Sequence, residues 1–147
     1  MSRDIQLRSE SALVGCPREI KSQENRVALM PGGARQLVRQ GVGVLVESGA
    51  GVGAAYANAE YEKAGAEIVS SAAELFSRCD IVVKVKEPQP SEIAMLREGQ
   101  ILFTYLHVAA DKALTESLVD TGSTAIAYET VHIGVRQHSS TFSIFGF

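Results

Sequence analysis

Short apolar runs alternate along this chain with stretches of helical periodicity, and this alternation constrains the fold more than any other feature. Strands are predicted at residues 12–16, 42–48, 67–69, 80–86, 101–106 and 124–128. Helices are predicted at residues 34–41, 58–65, 72–78, 92–97 and 111–120. Repeated alternation of strand and helix implies a three-layer, doubly wound α/β fold. We therefore expect a mostly parallel, Rossmann-like or flavodoxin-like sheet with helices on both faces.

Capping residues mark the ends of several predicted helices. Ser70 or Ser71 can cap the helix at residues 72–78, because a serine hydroxyl accepts a hydrogen bond from a free amide of the first turn. Ser91 is predicted to cap the helix at residues 92–97, and Gly99 to close it. Gly122 is predicted to end the last helix.

Composition excludes several classes of protein. The chain has 147 residues, of which 46% are hydrophobic and 21% charged, a balance typical of one globular domain. The formal net charge of -3 and the lack of a basic stripe argue against a nucleic-acid partner. No apolar run reaches the roughly 20 residues that span a bilayer. Charged residues among the first ten argue against a signal peptide, so the chain is predicted to be cytoplasmic, without membrane contact.

The cysteines and glycines favour structural roles. Cys16 and Cys79 both adjoin apolar runs, which favours buried free thiols over a disulfide. The glycines at residues 49–53 follow a strand with the spacing G-x-G-x-G, whereas dinucleotide binding requires G-x-G-x-x-G. A tight turn between strand and helix explains these glycines without a ligand. No paired metal-ligand motif is present, so no metal site is predicted.

Polar residues follow the predicted strands where ligands bind in parallel sheets. Lys86, His107 and Glu129 all fall at the carboxyl ends of strands, which meet at one edge of such a sheet. His107 is either a packing residue or a general acid/base, since an ordinary histidine pKa of about 6.5 suits proton transfer. Arg26, in the loop after the first strand, is either a solvated cation or a bidentate carboxylate ligand.

Two lysines lie unexpectedly inside the clearest predicted strand, which is otherwise rich in apolar residues. Lys84 and Lys86 have the same parity, so their side chains are expected on one side of the strand. Burying an unpaired ammonium costs several kcal/mol, so each lysine needs a partner or a route to solvent. Lys86 is nearer the strand end and is the better candidate for a cleft, while pairing with Glu87 is its structural alternative.

Several sequence blocks, in this order along the chain, resemble one known family. The blocks are P-R-E-I-K (17–21), E-N-R-V-A-L (24–29), P-G-G (31–33), V-E-S-G-A-G (46–51), A-G-A-E (64–67), K-V-K-E-P (84–88), L-F-T-Y-L-H (102–107) and A-I-A-Y-E-T-V (125–131). They resemble the N-terminal substrate domain of NAD-dependent L-alanine dehydrogenases, in the alanine dehydrogenase and nicotinamide nucleotide transhydrogenase family. The resemblance covers residues 13–131, nearly all of the chain.

The resemblance implies a reaction and a role for three residues. Arg26 matches the family arginine that binds the carboxylate of pyruvate or alanine, and Lys86 matches the lysine that contacts the substrate carboxylate and carbonyl. His107 matches the histidine that acts as acid/base. The implied reaction converts L-alanine, NAD+ and water to pyruvate, ammonium and NADH. In the family, NAD is bound by a second domain that this chain lacks, and the full-length protein is expected to be a homo-oligomer.

The end of the chain departs from the family pattern. Residues 1–11 are predicted to be a flexible extension and residues 12–131 the substrate domain, whereas residues 132–147 show no resemblance. We expect a truncated or frameshifted fragment that is inactive by itself. The alternatives are a stand-alone remnant that binds small carboxylates, or a fragment of a transhydrogenase alpha subunit.

Overall fold

The computed structural model describes residues 12–106 and 112–130, which form a parallel α/β sandwich. Its strands are β1 (Leu13–Cys16), β2 (Gly43–Glu47), β3 (Glu67–Val69), β4 (Ile81–Val83), β5 (Ile101–Thr104) and β6 (Thr124–Ala127). Its helices are α1 (Pro31–Arg39), α2 (Asn58–Lys63), α3 (Ala72–Arg78), α4 (Pro90–Ile93) and α5 (Lys112–Asp120). Short 3-10 turns occupy Val52–Ala54 and Tyr128–Thr130. The predicted extension at 1–11 and tail at 132–147 lie outside the described residues.

The sheet is parallel throughout its described strands, as the sequence predicted. The strand order is β3-β2-β1-β4-β5-β6, so β1 is central and pairs with both β2 and β4. Val14 lies beside Val44 on one side and beside Ile81 on the other. The chain thus builds one half of the sheet outward from β1 and then returns to build the other half. The predicted doubly wound α/β fold is confirmed.

Alternate residues of the strands face two separate apolar layers. Cys16 belongs to the layer beneath α1 and α2, which also contains the fully buried Tyr61. Cys79 belongs to the opposite layer, which contains Phe76 of α3 and Leu114 of α5. Burial raises the pKa of each thiol to about 12, so both remain protonated at neutral pH. The prediction that both cysteines are buried is confirmed.

Capping explains where the helices begin. The hydroxyl oxygen of Ser71 accepts a hydrogen bond of 3.2 Å from the Glu74 amide, which confirms the predicted cap of α3. The prediction that Ser91 caps a helix at 92–97 is wrong, because α4 already begins at Pro90. Proline suits the first helical position, and the Glu92 carboxylate closes the turn by accepting a 2.8 Å hydrogen bond from the Gln89 amide.

Two element boundaries differ from those predicted, and one of them bears on the site. Strand β4 ends at Val83, three residues earlier than predicted, so both lysines of the K-V-K-E-P block lie beyond the strand. Gly99 adopts a φ of +77° in the turn before β5 rather than at a helix end.

In the part of the chain that is described, no helix has the length and apolar character required to cross a membrane.

Candidate functional site

The candidate site lies where the strand order reverses. Connections from β1 and β4 leave the sheet in opposite directions, and in doubly wound sheets this divergence opens a crevice at the carboxyl ends of the strands. The loop after β1 carries Arg26, the segment after β4 carries Lys86, and Tyr105 follows β5. Arg26, Lys86 and Tyr105, which lie 19 to 79 positions apart in sequence, therefore follow strands at the same edge of the sheet.

An open cleft with a cationic wall occupies this edge. It has a volume of about 310 Å³ and is lined by Lys21, Lys86, Glu87 and Tyr105. The ammonium of Lys86 lies 5.8 Å from the centre of the Tyr105 ring, within the range of a cation–π interaction. The ion pair of Glu87 is formed with Lys21 of the opposite loop. The structural alternative for Lys86, an ion pair with Glu87, is therefore not what the structure shows.

Arg26 is held by a neighbouring carboxylate. Its Nε donates to Glu24 Oε1 at 2.9 Å and its Nη2 donates to Glu24 Oε2 at 2.6 Å. The Arg26 side chain is 55% exposed, whereas that of Glu24 is only 6% exposed. The hydrogen bonds from Arg26, with a smaller contribution from the charge of Lys86, lower the pKa of Glu24 to about 2. The charge of Lys86 therefore acts on Glu24, the carboxylate that holds Arg26.

Lys84 has a different role from Lys86. Its side chain is only 1% exposed, and its ammonium contacts Glu19 Oε2 at 3.0 Å and Glu92 Oε1 at 2.8 Å. Burial lowers the pKa of Lys84, but the attraction of the two carboxylates outweighs burial and leaves this pKa raised. Lys84 therefore remains charged inside the protein and is not one of the residues that line the cleft.

Neighbouring strands support the backbone between Lys84 and Lys86. The Thr104 hydroxyl donates to the Lys86 carbonyl at 2.7 Å, and the Tyr128 hydroxyl donates to the Val85 carbonyl at 2.9 Å. The ring of Tyr128 also packs 6.0 Å from that of Tyr105. These contacts fix the segment that presents Lys86.

The ends of β5 and β6 are joined by a carboxylate that the sequence had singled out. Glu129 Oε1 accepts a 3.0 Å hydrogen bond from the Leu106 amide, so Glu129 supports the chain at the end of β5. His107, the predicted acid/base, follows directly but lies outside the described residues. Its placement at the site stays a prediction.

Sequence reasoning missed several residues of the cleft and its supports. Lys21 and Tyr105 line the cleft, and Glu24 holds Arg26, yet each resembles an ordinary surface or packing residue in sequence. One signal was available, because Glu24 and Arg26 are separated by a single residue. Nothing in the sequence pairs Glu19 with Lys84, since 65 residues separate them.

Two glycines of the turn at residues 49–53 are required by close packing. A Cβ atom on Gly51 would lie 2.7 Å from the Tyr61 ring, and one on Gly53 would lie 2.6 Å from the Asn25 carbonyl oxygen. Protein atoms therefore already occupy the space that these glycines leave. The predicted structural role of this turn is supported. Among residues 12–106 and 112–130, no group of three or more acidic, histidine or cysteine side chains is placed to hold a metal ion.

The fold and the cleft together define a doubly wound α/β domain with a cationic crevice at its switch point. Comparisons with known proteins agree with this class. The family described as alanine dehydrogenase/PNT, N-terminal domain, matches residues 15–145. The chain therefore belongs to the alanine dehydrogenase/PNT N-terminal domain family.

Individual relatives support the same family. The alanine dehydrogenase of Bacillus subtilis (strain 168) is 52% identical over 122 residues, which cover 83% of this chain and 32% of the relative. A solved L-alanine dehydrogenase superposes with a TM-score of 0.81 at 50% identity, over 85% of this chain and 34% of that one. The transhydrogenase from Sinorhizobium meliloti gives a TM-score of 0.75 at 31% identity, over 80% of this chain and 35% of that one. The chain thus spans about a third of the length of the relatives that it matches.

Proposed function

We propose that this chain is the substrate-binding part of an L-alanine dehydrogenase, which converts L-alanine, NAD+ and water to pyruvate, ammonium and NADH. The observation that carries the proposal is that Lys86 lines the cleft at the switch point of the sheet, while Arg26 lies in the loop after β1 at the same edge. A small 2-oxo or 2-amino acid requires this kind of surface, because its carboxylate needs fixed cations in a partly enclosed cleft.

The geometry of Arg26 suits a carboxylate ligand. Glu24 engages Nε and Nη2, which lie along one edge of the planar guanidinium group. The other edge, formed by Nη1 and Nη2, can present two parallel donors to a substrate carboxylate. Glu24 then serves to hold the plane of the arginine, and its low pKa keeps it ionised at neutral pH.

Lys86 provides a second, less directional cation. Its packing over the ring of Tyr105 holds the ammonium at the wall of the cleft, where it can contact both the carboxylate and the adjacent carbonyl oxygen of pyruvate. We propose His107 as the group that moves a proton to or from the substrate, on the strength of the family resemblance.

NAD is proposed to bind to a separate domain of the full-length enzyme. The glycines at residues 49–53 have a packing role instead, because atoms of Tyr61 and Asn25 lie where side chains on Gly51 and Gly53 would stand. The relatives contain about twice as much further sequence as the part matched here, which is ample for such a domain. The function of the present residues is therefore limited to binding and orienting the small acid.

A transhydrogenase alpha subunit is the alternative within the same family. The alanine dehydrogenases are favoured because the identity is 50% to the solved L-alanine dehydrogenase and 31% to the solved transhydrogenase. A stand-alone carboxylate-binding protein would use the same cleft, and it differs only in lacking a catalytic partner domain.

Titration of the 147-residue chain with pyruvate tests the proposal. We expect saturable binding, followed by amide shifts in the nuclear magnetic resonance spectrum, and at least tenfold weaker binding for Lys86→Met and for Arg26→Lys, since a hydrogen bond to a charged group contributes roughly 1.5–3 kcal/mol. Lys112→Met and Arg35→Lys are matched controls at exposed helical positions and should bind like the unchanged chain. Binding that is indifferent to both cleft substitutions would refute the proposal.

A further inference from the structure

We propose that the buried triad of Glu19, Lys84 and Glu92 is the positioning device of the substrate cleft, and that Lys84 fixes the segment from which Lys86 reaches the ligand. This inference rests on the proposed function, because it assigns Lys86 the carboxylate of a small acid. It adds three residues that do not line the cleft but determine the position of Lys86, which does.

The triad is a costly arrangement that packing alone does not require. The side chains of Glu19, Lys84 and Glu92 are 3%, 1% and 2% exposed, so three charges are withdrawn from water together. Removing an ion from water costs several kcal/mol even after relaxation, and well-packed apolar side chains of similar volume often give equal or greater stability. Charges kept under such conditions favour one fixed geometry, because a small displacement leaves a buried charge without its partner.

The triad joins three separate pieces of the chain. Glu19 comes from the loop after β1, Lys84 from the segment after β4, and Glu92 from α4. Glu19 contacts the Lys84 ammonium through Oε2 and accepts a 2.7 Å hydrogen bond from the Val85 amide through Oε1. One carboxylate thus holds both the side chain and the backbone of the segment immediately before Lys86.

The far side of this segment is held as well. The Lys84 amide donates to the Phe103 carbonyl at 3.0 Å, and Thr104 and Tyr128 bind the carbonyls of Lys86 and Val85. Residues 84–86 are therefore fixed between β5 and the loop after β1. Loss of Lys84 would release the side that faces the loop and allow Lys86 to move relative to Arg26.

The charges around Lys84 predict that pyruvate binding by Lys84→Met depends on pH. The ionisable groups facing it are Glu19 from the loop, Glu92 from α4 and the Cys16 thiol from β1. In Lys84→Met, the carboxylates of Glu19 and Glu92 lose the cation that lies between them and repel each other, and protonation of either carboxylate removes this repulsion. Lowering the pH therefore protonates one of them and restores the position of Lys86. The unchanged chain lacks this response. The pKa of Lys84 is raised, so the lysine stays charged and stabilising at every pH below the ordinary lysine pKa of 10.5.

The test compares pyruvate binding by Lys84→Met and by the unchanged chain, well below the melting temperature of each. We expect at least tenfold weaker binding at about pH 8, with much of the loss recovered at about pH 6. The ratio of the two dissociation constants at each pH removes any titration that both proteins share, including that of His107. Equal affinity at both pH values would overturn the inference.

Two further substitutions keep the test decisive if Lys84→Met fails to fold. Glu19→Gln should weaken pyruvate binding more than Glu92→Gln, because only Glu19 also holds the Val85 amide. Hydrogen exchange at Val85 should accelerate in Glu19→Gln, while exchange at Val44 in the central sheet stays unchanged. Equal or reversed effects of the two substitutions on binding would overturn the inference.

The outcomes also separate this inference from the proposed function. If Lys86→Met and Arg26→Lys both leave pyruvate binding unaltered, the proposed function fails. If Lys86→Met weakens binding but none of the triad substitutions does, the proposed function stands and the positioning role is refuted. Lys112→Met is the control, since it removes an exposed lysine that is also ion-paired.

Discussion

Gly53→Ala should move the loop that carries Arg26. The added Cβ would lie 2.6 Å from the carbonyl oxygen of Asn25 and 3.0 Å from its Cα, and Asn25 immediately precedes Arg26. Both contacts are with backbone atoms, so no side-chain rotation can relieve them. The loop must shift by several tenths of an ångström.

The magnitude follows from two opposing effects. Overpacking of this kind costs about 2 kcal/mol, while replacing glycine by alanine stabilises by about 0.7 kcal/mol because the unfolded chain loses freedom. The net loss of about 1.3 kcal/mol should lower the melting temperature by roughly 3–5 °C in a chain of this size. Pyruvate binding should weaken at the same time, because the guanidinium of Arg26 moves with its loop.

Gly32→Ala is the matched control. A Cβ atom on Gly32 would meet nothing within 4 Å, and this residue lies in the first turn of α1. The substitution should raise the melting temperature by roughly 1–4 °C, since about 0.4–1 kcal/mol is gained without a clash. The two proteins should therefore shift in opposite directions in thermal unfolding followed by circular dichroism. A Gly53→Ala protein at least as stable as the Gly32→Ala protein would refute the packing argument.

Two further predictions concern acid stability and turnover. The pKa of Glu24 is lowered to about 2, so the stability from its pair with Arg26 is present above its ordinary pKa of 4.5 and is lost as the pH falls toward 2. Glu24→Gln should therefore flatten the melting temperature between these two pH values, and an unchanged acid profile would contradict the assignment. The purified 147-residue chain should not oxidise NADH in the presence of pyruvate and ammonium, because NAD is proposed to bind to a separate domain and the reaction requires the nicotinamide to be oriented against the substrate. Turnover in an absorbance assay at this chain length would contradict that expectation.

Much of the fold could be predicted because its signals are local. The apolar run at residues 67–69 and the serine before residues 72–78 depend only on near neighbours, and both gave the elements observed. The helix placed at residues 92–97 was wrong because two local signals competed. Proline favours the first position of a helix, so the helix begins at Pro90 and Ser91 lies inside it rather than at its cap.

The residues of the candidate site were harder to predict from sequence, because their partners lie far away along the chain. Lys84 and Lys86 share the same parity, and it is the buried carboxylates of Glu19 and Glu92 that give Lys84 a separate role. The same limitation hid the cleft residue Lys21, whose partner Glu87 is 66 residues further along the chain. Parity within a strand cannot determine environment once the strand has ended, as β4 does at Val83.

The central position of β1 has a consequence for the order of folding. Its partner β2 follows within about 30 residues, whereas its other partner β4 is more than 60 residues away, so the second pairing must close a much longer loop. During synthesis, Arg26 emerges well before Lys86, and the half-sheet β1-β2-β3 can form while the other half is still absent. Pyruvate binding would therefore be a reporter of complete folding, because a chain that has assembled only its first half would present one cation without the other.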